Sequence, residues 1–180
     1  PRPAAQAVSA IAPTRVDDEL DLIRRLLPLA GARVADIGCG SAAMSRRLLA
    51  EGLARSVAGL EVDEAQHARN IAAGPVPGLS FHLAPADAIP FPDASFDAAL
   101  MLKSLHHVPA ARMDAALGEI ARVLVPGGRL YVSEPVFEGP FNEIMRLFHD
   151  EQAARAAALA ALRRARERGA LEQVEERRFL

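Results

Sequence analysis

RVADIGCGSAAMSRR, residues 33–47, opens on a short apolar run and closes on a helical pattern. Val34 to Ile37 reads as a buried strand, Gly38-Cys39-Gly40 as a tight turn, and Ser41 onward as a helix with Met44, Leu48 and Leu49 on one face. Glycines admit positive φ angles and let a ligand approach the backbone closely. A strand, a glycine turn and a helix N-terminus in succession make a cofactor cradle.

The surrounding chain repeats the alternation. Upstream, a helix is predicted from Val16, with Asp17, Asp18 and Glu19 in its first turn, Arg24 and Arg25 in its later part, and Pro28 and Gly31 at its end. Leu20, Ile23, Leu26 and Leu27 form its apolar stripe. Downstream, strands are predicted over Arg55–Glu61, Leu79–Leu83, Phe96–Leu102 and Arg129–Ser133, with helices over Asp63–Ala73 and Ala110–Leu124. Strands alternating with helices specify an α/β fold: a mostly parallel central sheet with helices on both faces. Residues 1–13 are rich in Pro and Ala and read as a flexible tail. One domain, residues 14–180, follows, and Phe141–Arg168 within it reads as a long helical lid region with apolar patches at Ile144, Met145 and Phe148 and at Leu159 and Leu162. Leu171–Leu180 reads as a sixth strand.

Composition narrows the class. The 180 residues carry a net charge of −2 with a pI near 6.3, without the basic stripes and stacking aromatics of a nucleic-acid groove. No apolar run is long enough to span a bilayer, and the opening PRPAAQAVSA lacks the apolar core of a secretion signal. The single Cys39 excludes an internal disulfide and fits a reducing cytoplasm. The expected protein is cytoplasmic, with neither nucleic acid nor membrane as a partner.

Two cofactors compete for the cradle. Gly38, Gly40 and Ala43 fit a G-x-G-x-x-A dinucleotide fingerprint, with Glu61 at the distance of a ribose carboxylate. Against NAD stands Asp36, whose charge at the strand end would repel a pyrophosphate and attract the ammonium of S-adenosylmethionine. The other reading of Asp36 is that it faces away and caps a neighbouring turn. Glu61, at the end of the second strand, can accept from both ribose hydroxyls, whereas Asp63 is better placed to cap the next helix. Asp87, after the third strand, can accept from an adenine amine. Three acids, each after a successive strand of one sheet, point to a single ligand at the carboxyl ends of those strands.

VADIGCG, GLEVD, ADAIPFPDASFD, SLHHV and ARVLVPGGRLYVSEP, in this order, resemble the motif series of the Rossmann-like (class I) S-adenosylmethionine-dependent methyltransferases, of the small-molecule type. The resemblance runs from Arg15 to Pro135 and implies a Rossmann-like three-layer sandwich. It implies that Asp36, Gly38, Cys39 and Gly40 lie along the methionine part, Glu61 at the ribose, and Asp87 at the adenine. Val62, Ala86 and Ala88 would flank the adenine, and Met101 and Leu102 would approach the sulfonium end. The implied reaction is methylation of a small-molecule acceptor, releasing S-adenosylhomocysteine. The chain departs from the pattern at Ala42, where the family has glycine and a shifted turn is expected. It also departs in the apparent absence of the seventh strand, which makes a non-catalytic cofactor- or partner-binding protein the alternative reading.

For catalysis, His107 and His106 follow the fourth strand, near the expected acceptor. An imidazole is the natural base at neutral pH. The bland reading is that one histidine packs and the other bonds a loop. They suggest no metal site, because no third ligand stands at a helpful spacing. His149, Asp150 and Glu151 read as a solvated helix face, and Cys39 as a small filler. Phe137, Phe141, Met145 and Phe148 read either as an apolar acceptor pocket or as plain helix packing.

Overall fold

Almost every residue of β1 (Ala32–Ile37) is buried, a pattern that fits the middle of a sheet covered on both faces. The structure, a computed structural model describing residues 14–135 and 151–179, places it there. β2 (Ala54–Glu61) pairs along one edge of β1 and β4 (Phe96–Leu102) along the other. β3 (Leu79–Leu83) and β5 (Leu124–Ser133) lie outside them. All pairings in this sheet are parallel, in the order β3-β2-β1-β4-β5. The order reverses between β1 and β4, and such sheets bind ligands at that point, beyond the carboxyl ends of the strands.

Side chains alternate across β1 and so reach two separate cores. Val34 joins Val57 and Leu100 under α1 (Glu19–Leu26) and α2 (Ala43–Ala50), which contribute Leu20, Ile23 and Leu48. Ala35 and Ile37 join Ala99 and Met101 under α4 (Met113–Val123) and α5 (Gln152–Glu167). α3 (Glu64–Ala72) borders β2 and β3. The result is the three-layer, Rossmann-like sandwich expected from the alternation of elements.

Local chemistry sets the boundaries. α1 starts at Glu19 because Asp18 accepts the Leu20 N–H at 3.0 Å. Asp63 has its expected capping part, accepting the Gln66 N–H at 2.9 Å. The helix expected from Ala110 opens as a 3-10 turn over Ala110–Arg112 and becomes α-helical at Met113. β5 first pairs at Leu124, opposite Phe96. It then loops through Pro126-Gly127-Gly128 and resumes at Arg129, opposite Ala98.

The last third departs from expectation. Residues 141–150 of the predicted lid, and Phe137 before them, lie outside the described residues. Among the described residues, 171–179 form no sixth strand and carry a single bridge, Thr14 to Phe179. The stretch Glu172–Arg178 has five charged side chains and one apolar one, Val174, which leaves it little to bury in a sheet. Only half of the expected leucine patch of α5 packs inward: Leu162 lies partly buried against the core. Ala158, Ala161 and Ala165 turn inward, while Leu159 is 37% exposed. Small residues let α5 approach α4 closely, and Arg164 and Arg168 pair with Asp114 of α4 at 2.9 and 3.0 Å. Among the described residues no helix is long and apolar enough to cross a membrane.

Ala161 is fully buried in this close contact, so Ala161→Leu should overpack it and cost about 1–3 kcal/mol. Urea melts monitored by circular dichroism check this; an unchanged midpoint would mean that α5 packs loosely.

Candidate cofactor site and histidine–carboxylate cluster

The glycine turn after β1 is held through the backbone of one residue. The Gly40 N–H donates to Glu61 Oε2 at 2.9 Å, and the Gly40 carbonyl accepts from Asn70 Nδ2 at 2.7 Å. Glu61 Oε1 accepts the N–H groups of Val62 and Asp63 at 2.8 and 3.0 Å. A buried carboxylate thus gathers three backbone donors, an arrangement stronger than neutral hydrogen bonding. Asn70 carried no motif and was missed; it is a buried polar side chain on an otherwise solvated helix. Gly38, at φ +71°, has no room for a side chain: a Cβ there would lie 2.7 Å from Ser104 Cβ. Ser104 Oγ donates to the Ile37 carbonyl at 2.8 Å, tying the turn to the chain after β4.

At the position where glycine was expected stands Ala42. It takes φ +57° itself, with its methyl fully buried, and so carries left-handed strain of about 1–2 kcal/mol.

Asp36 requires a correction. Its side chain is 2% exposed and accepts from Ser45 Oγ at 2.5 Å, so it holds the start of α2 rather than presenting charge at the rim. Like Val34, it points toward the α2 layer, because strand side chains alternate. Burial pushes its pKa up to about 6, with the nearby Glu61 charge adding to the rise against the Ser45 hydrogen bond. The Gly40 N–H that would cradle a phosphate already has a carboxylate on it, and a phosphate there would face like charge.

The loop after β3 carries Asp87, fastened from α4. Arg122 donates to the carbonyls of Phe91 and Ile89 at 2.9 and 3.1 Å, and the Ile89 N–H donates to Glu119 at 3.1 Å. Asp87 is half-buried, with Arg112 at 3.3 Å. Ala86 is buried beside it, Ala88 is exposed, and Val62 is exposed at the end of β2. The three acids therefore come to the carboxyl ends of β1, β2 and β3, but only Glu61 and Asp87 border the crevice with their carboxylates.

Comparison with known proteins fits this geometry. A family profile described as a methyltransferase domain matches residues 35–132, more than half of the chain. The chain belongs to the methyltransferase-domain family. It is 34% identical over 144 residues to the O-methyltransferase cnsE of Penicillium expansum, covering 77% of this chain and 50% of that protein; it spans about half the length of this curated relative. A solved S-adenosylmethionine-dependent methyltransferase from Mesorhizobium loti superposes with a TM-score of 0.55 at 32% identity, covering 64% of this chain and 52% of that one. The [4+2]-cyclase SpnF superposes with a TM-score of 0.57 at 34% identity, covering 63% and 43%.

In this methyltransferase-domain chain the histidines differ sharply. His106 is buried, and its Nδ1 lies 2.5 Å from Glu134 Oε2, just past the end of β5. Glu134 Oε1 also accepts the Leu105 N–H at 2.9 Å, which fixes the carboxylate. His107 is exposed, its ring 4.1 Å from that of His106. Glu151 is not a solvated side chain as expected: it lies 3.8 Å from His106 Nε2 and pairs with Arg155 at 2.6 Å. No spacing pattern ties either glutamate to His106, from which they stand 28 and 45 positions. Met101 is sealed in the α4–α5 core and Leu102 packs toward α1; alternation along β4 sends them to opposite layers, so neither side chain is offered to a sulfonium. Cys39 is half-buried, and burial together with Asp36 and Glu61 pushes its thiol up to about 12. It is the small, unreactive filler expected.

Asp36 yields a pH prediction. The folded chain keeps its proton up to about pH 6, while an unfolded carboxyl releases it near its ordinary value of about 3.9. This contribution to stability is therefore greatest below about pH 4 and falls as pH rises through 6, by about 3 kcal/mol. Asp36→Asn should remove that fall, raising the melting temperature above wild type at about pH 8 and not at about pH 4. Thermal melts across pH check it; parallel profiles for both proteins would refute it.

Proposed function

We propose that this chain binds S-adenosylmethionine in the crevice bounded by Gly38–Gly40, Glu61 and Asp87, and that the protein methylates an oxygen of a small molecule. When bound, that cofactor supplies a methyl group already activated by a sulfonium. The residues present suit it: a turn without side chains for close approach, a carboxylate at the end of β2, and a second after β3. The oxygen acceptor is supported by the O-methyltransferase relative, and a small acceptor by the near-neutral charge of the chain. We place the protein in the cytoplasm, in keeping with its single cysteine.

The observation that carries the reading is the buried His106–Glu134 pair at the carboxyl end of β4, next to the glycine turn. Glu134 holds the Nδ1–H, which leaves Nε2 as the basic nitrogen. Nε2 then accepts the proton of the acceptor hydroxyl as the oxygen gains its methyl group, and Glu134 stabilises the imidazolium that results. His106, rather than the exposed His107, is the base in this reading, and Glu134 is its positioning residue.

Calorimetric titration with S-adenosylhomocysteine, with NAD alongside, is the first test: the former should bind and the latter should not. Glu61→Ala should abolish that binding. His106→Asn should leave it nearly unchanged while lowering kcat roughly 10²–10⁴-fold. Glu134→Gln should lower kcat and displace the pH–rate profile without altering cofactor affinity. Binding of NAD alone would overturn the cofactor assignment, and full turnover in His106→Asn would overturn the base.

A further inference from the structure

We infer that His106, His107 and Glu151 form a binding site for a divalent transition cation of the zinc class. One ligand atom from each of the three side chains comes within 4.8 Å of the other two. The His106 Nε2 to Glu151 Oε2 separation is 3.8 Å. Nitrogen and oxygen ligands at about 2.0–2.1 Å from a tetrahedral ion stand roughly 3.4 Å apart, so His106 and Glu151 close on an ion by a few tenths of an ångström, and the exposed His107 side chain, within 4.8 Å of both, by a rotation of about an ångström. No third ligand stands near His106 and His107 in the chain, but the N-cap residue of α5 supplies one from 45 positions beyond His106.

The surroundings match such a site. Metal-bound histidines characteristically donate their other ring nitrogen to a carboxylate, and His106 Nδ1 is already on Glu134. Glu134 is in turn fixed by the Leu105 N–H, so the imidazole that would hold the ion is oriented in advance. Glu151 is steadied by Arg155. That guanidinium opposes a cation, but the two carboxylates around His106 outnumber it. Two imidazoles and one carboxylate select zinc, cobalt, nickel or copper over magnesium or calcium, which prefer all-oxygen shells. Three protein ligands leave a fourth position open, as in catalytic rather than structural zinc sites.

An ion at this place takes the Nε2 electron pair that a proton would otherwise take. Metal occupancy and proton acceptance at His106 therefore exclude one another. This consequence rests on the proposed base, whereas binding itself does not.

The test is titration of the 180-residue chain with Zn(II) against a chromogenic chelator, and with Co(II) followed by visible absorption. One equivalent should bind, with the intense bands of tetrahedral cobalt. His107→Asn and Glu151→Gln should each weaken binding at least tenfold, and Glu134→Gln about 10–100-fold. His82→Asn, on β3, should leave it unchanged. Because His107 is exposed, His107→Asn keeps the fold, which circular dichroism verifies. Wild-type affinity in His107→Asn and Glu151→Gln, or loss of binding in His82→Asn, would overturn the site. Zinc inhibition of methyl transfer without measurable binding would equally overturn it, and binding in a chain without methyl transfer would leave it standing.

Discussion

Both polar groups of the Gly40 peptide are held by side chains from elsewhere, the N–H by Glu61 and the carbonyl by Asn70. A tight turn cannot satisfy these groups within itself, and a buried peptide left without partners is costly. The clamp joins the end of β1, the end of β2 and the buried face of α3 into one unit. Gly38 then fits against Ser104 and Ala42 is kept in a left-handed conformation. The same carboxylate that shapes the turn also sets a negative charge at the Gly40 N–H, the donor that a phosphate would need.

The two ends of the crevice are built differently. On the β1–β2–β3 side, backbone geometry and carboxylates make the surface. On the β4–β5 side, a buried imidazole between glutamates does. A [4+2]-cyclase shares this fold, so the fold leaves the reaction undetermined and the side chains of the second half must carry it.

The first half was the more legible in sequence because its signals are local. Leu79–Leu83 and Phe96–Leu102 came out at their observed bounds, since Gly, Pro and Asp punctuate them and short, largely apolar runs fill them. Glu61 and Asp87 could be placed because the carboxyl end of a strand is where such acids act. Asp36 was harder: the strand period sends it to the α2 layer, but the partner that claims it, Ser45, only appears with the fold. The His106–Glu134–Glu151 cluster was invisible because its members lie on separate elements with no spacing pattern. α5 misled for another reason. Leu162 does reach the core, but Leu159 does not, and the buried positions are alanines because a neighbouring helix that comes close selects small side chains.

The strand order has a further consequence, for synthesis. β1, the turn, α2, β2, α3 and β3 follow one another in the chain, and their contacts close short loops, which favours early assembly of this half. β4, which must cover the other edge of β1, follows about 60 residues later, several seconds at ordinary elongation rates. Through that interval β1 has an unpaired, apolar edge, the kind of surface on which strands of other chains add. The strand at the centre of the finished sheet is the inner strand that waits longest for its second neighbour.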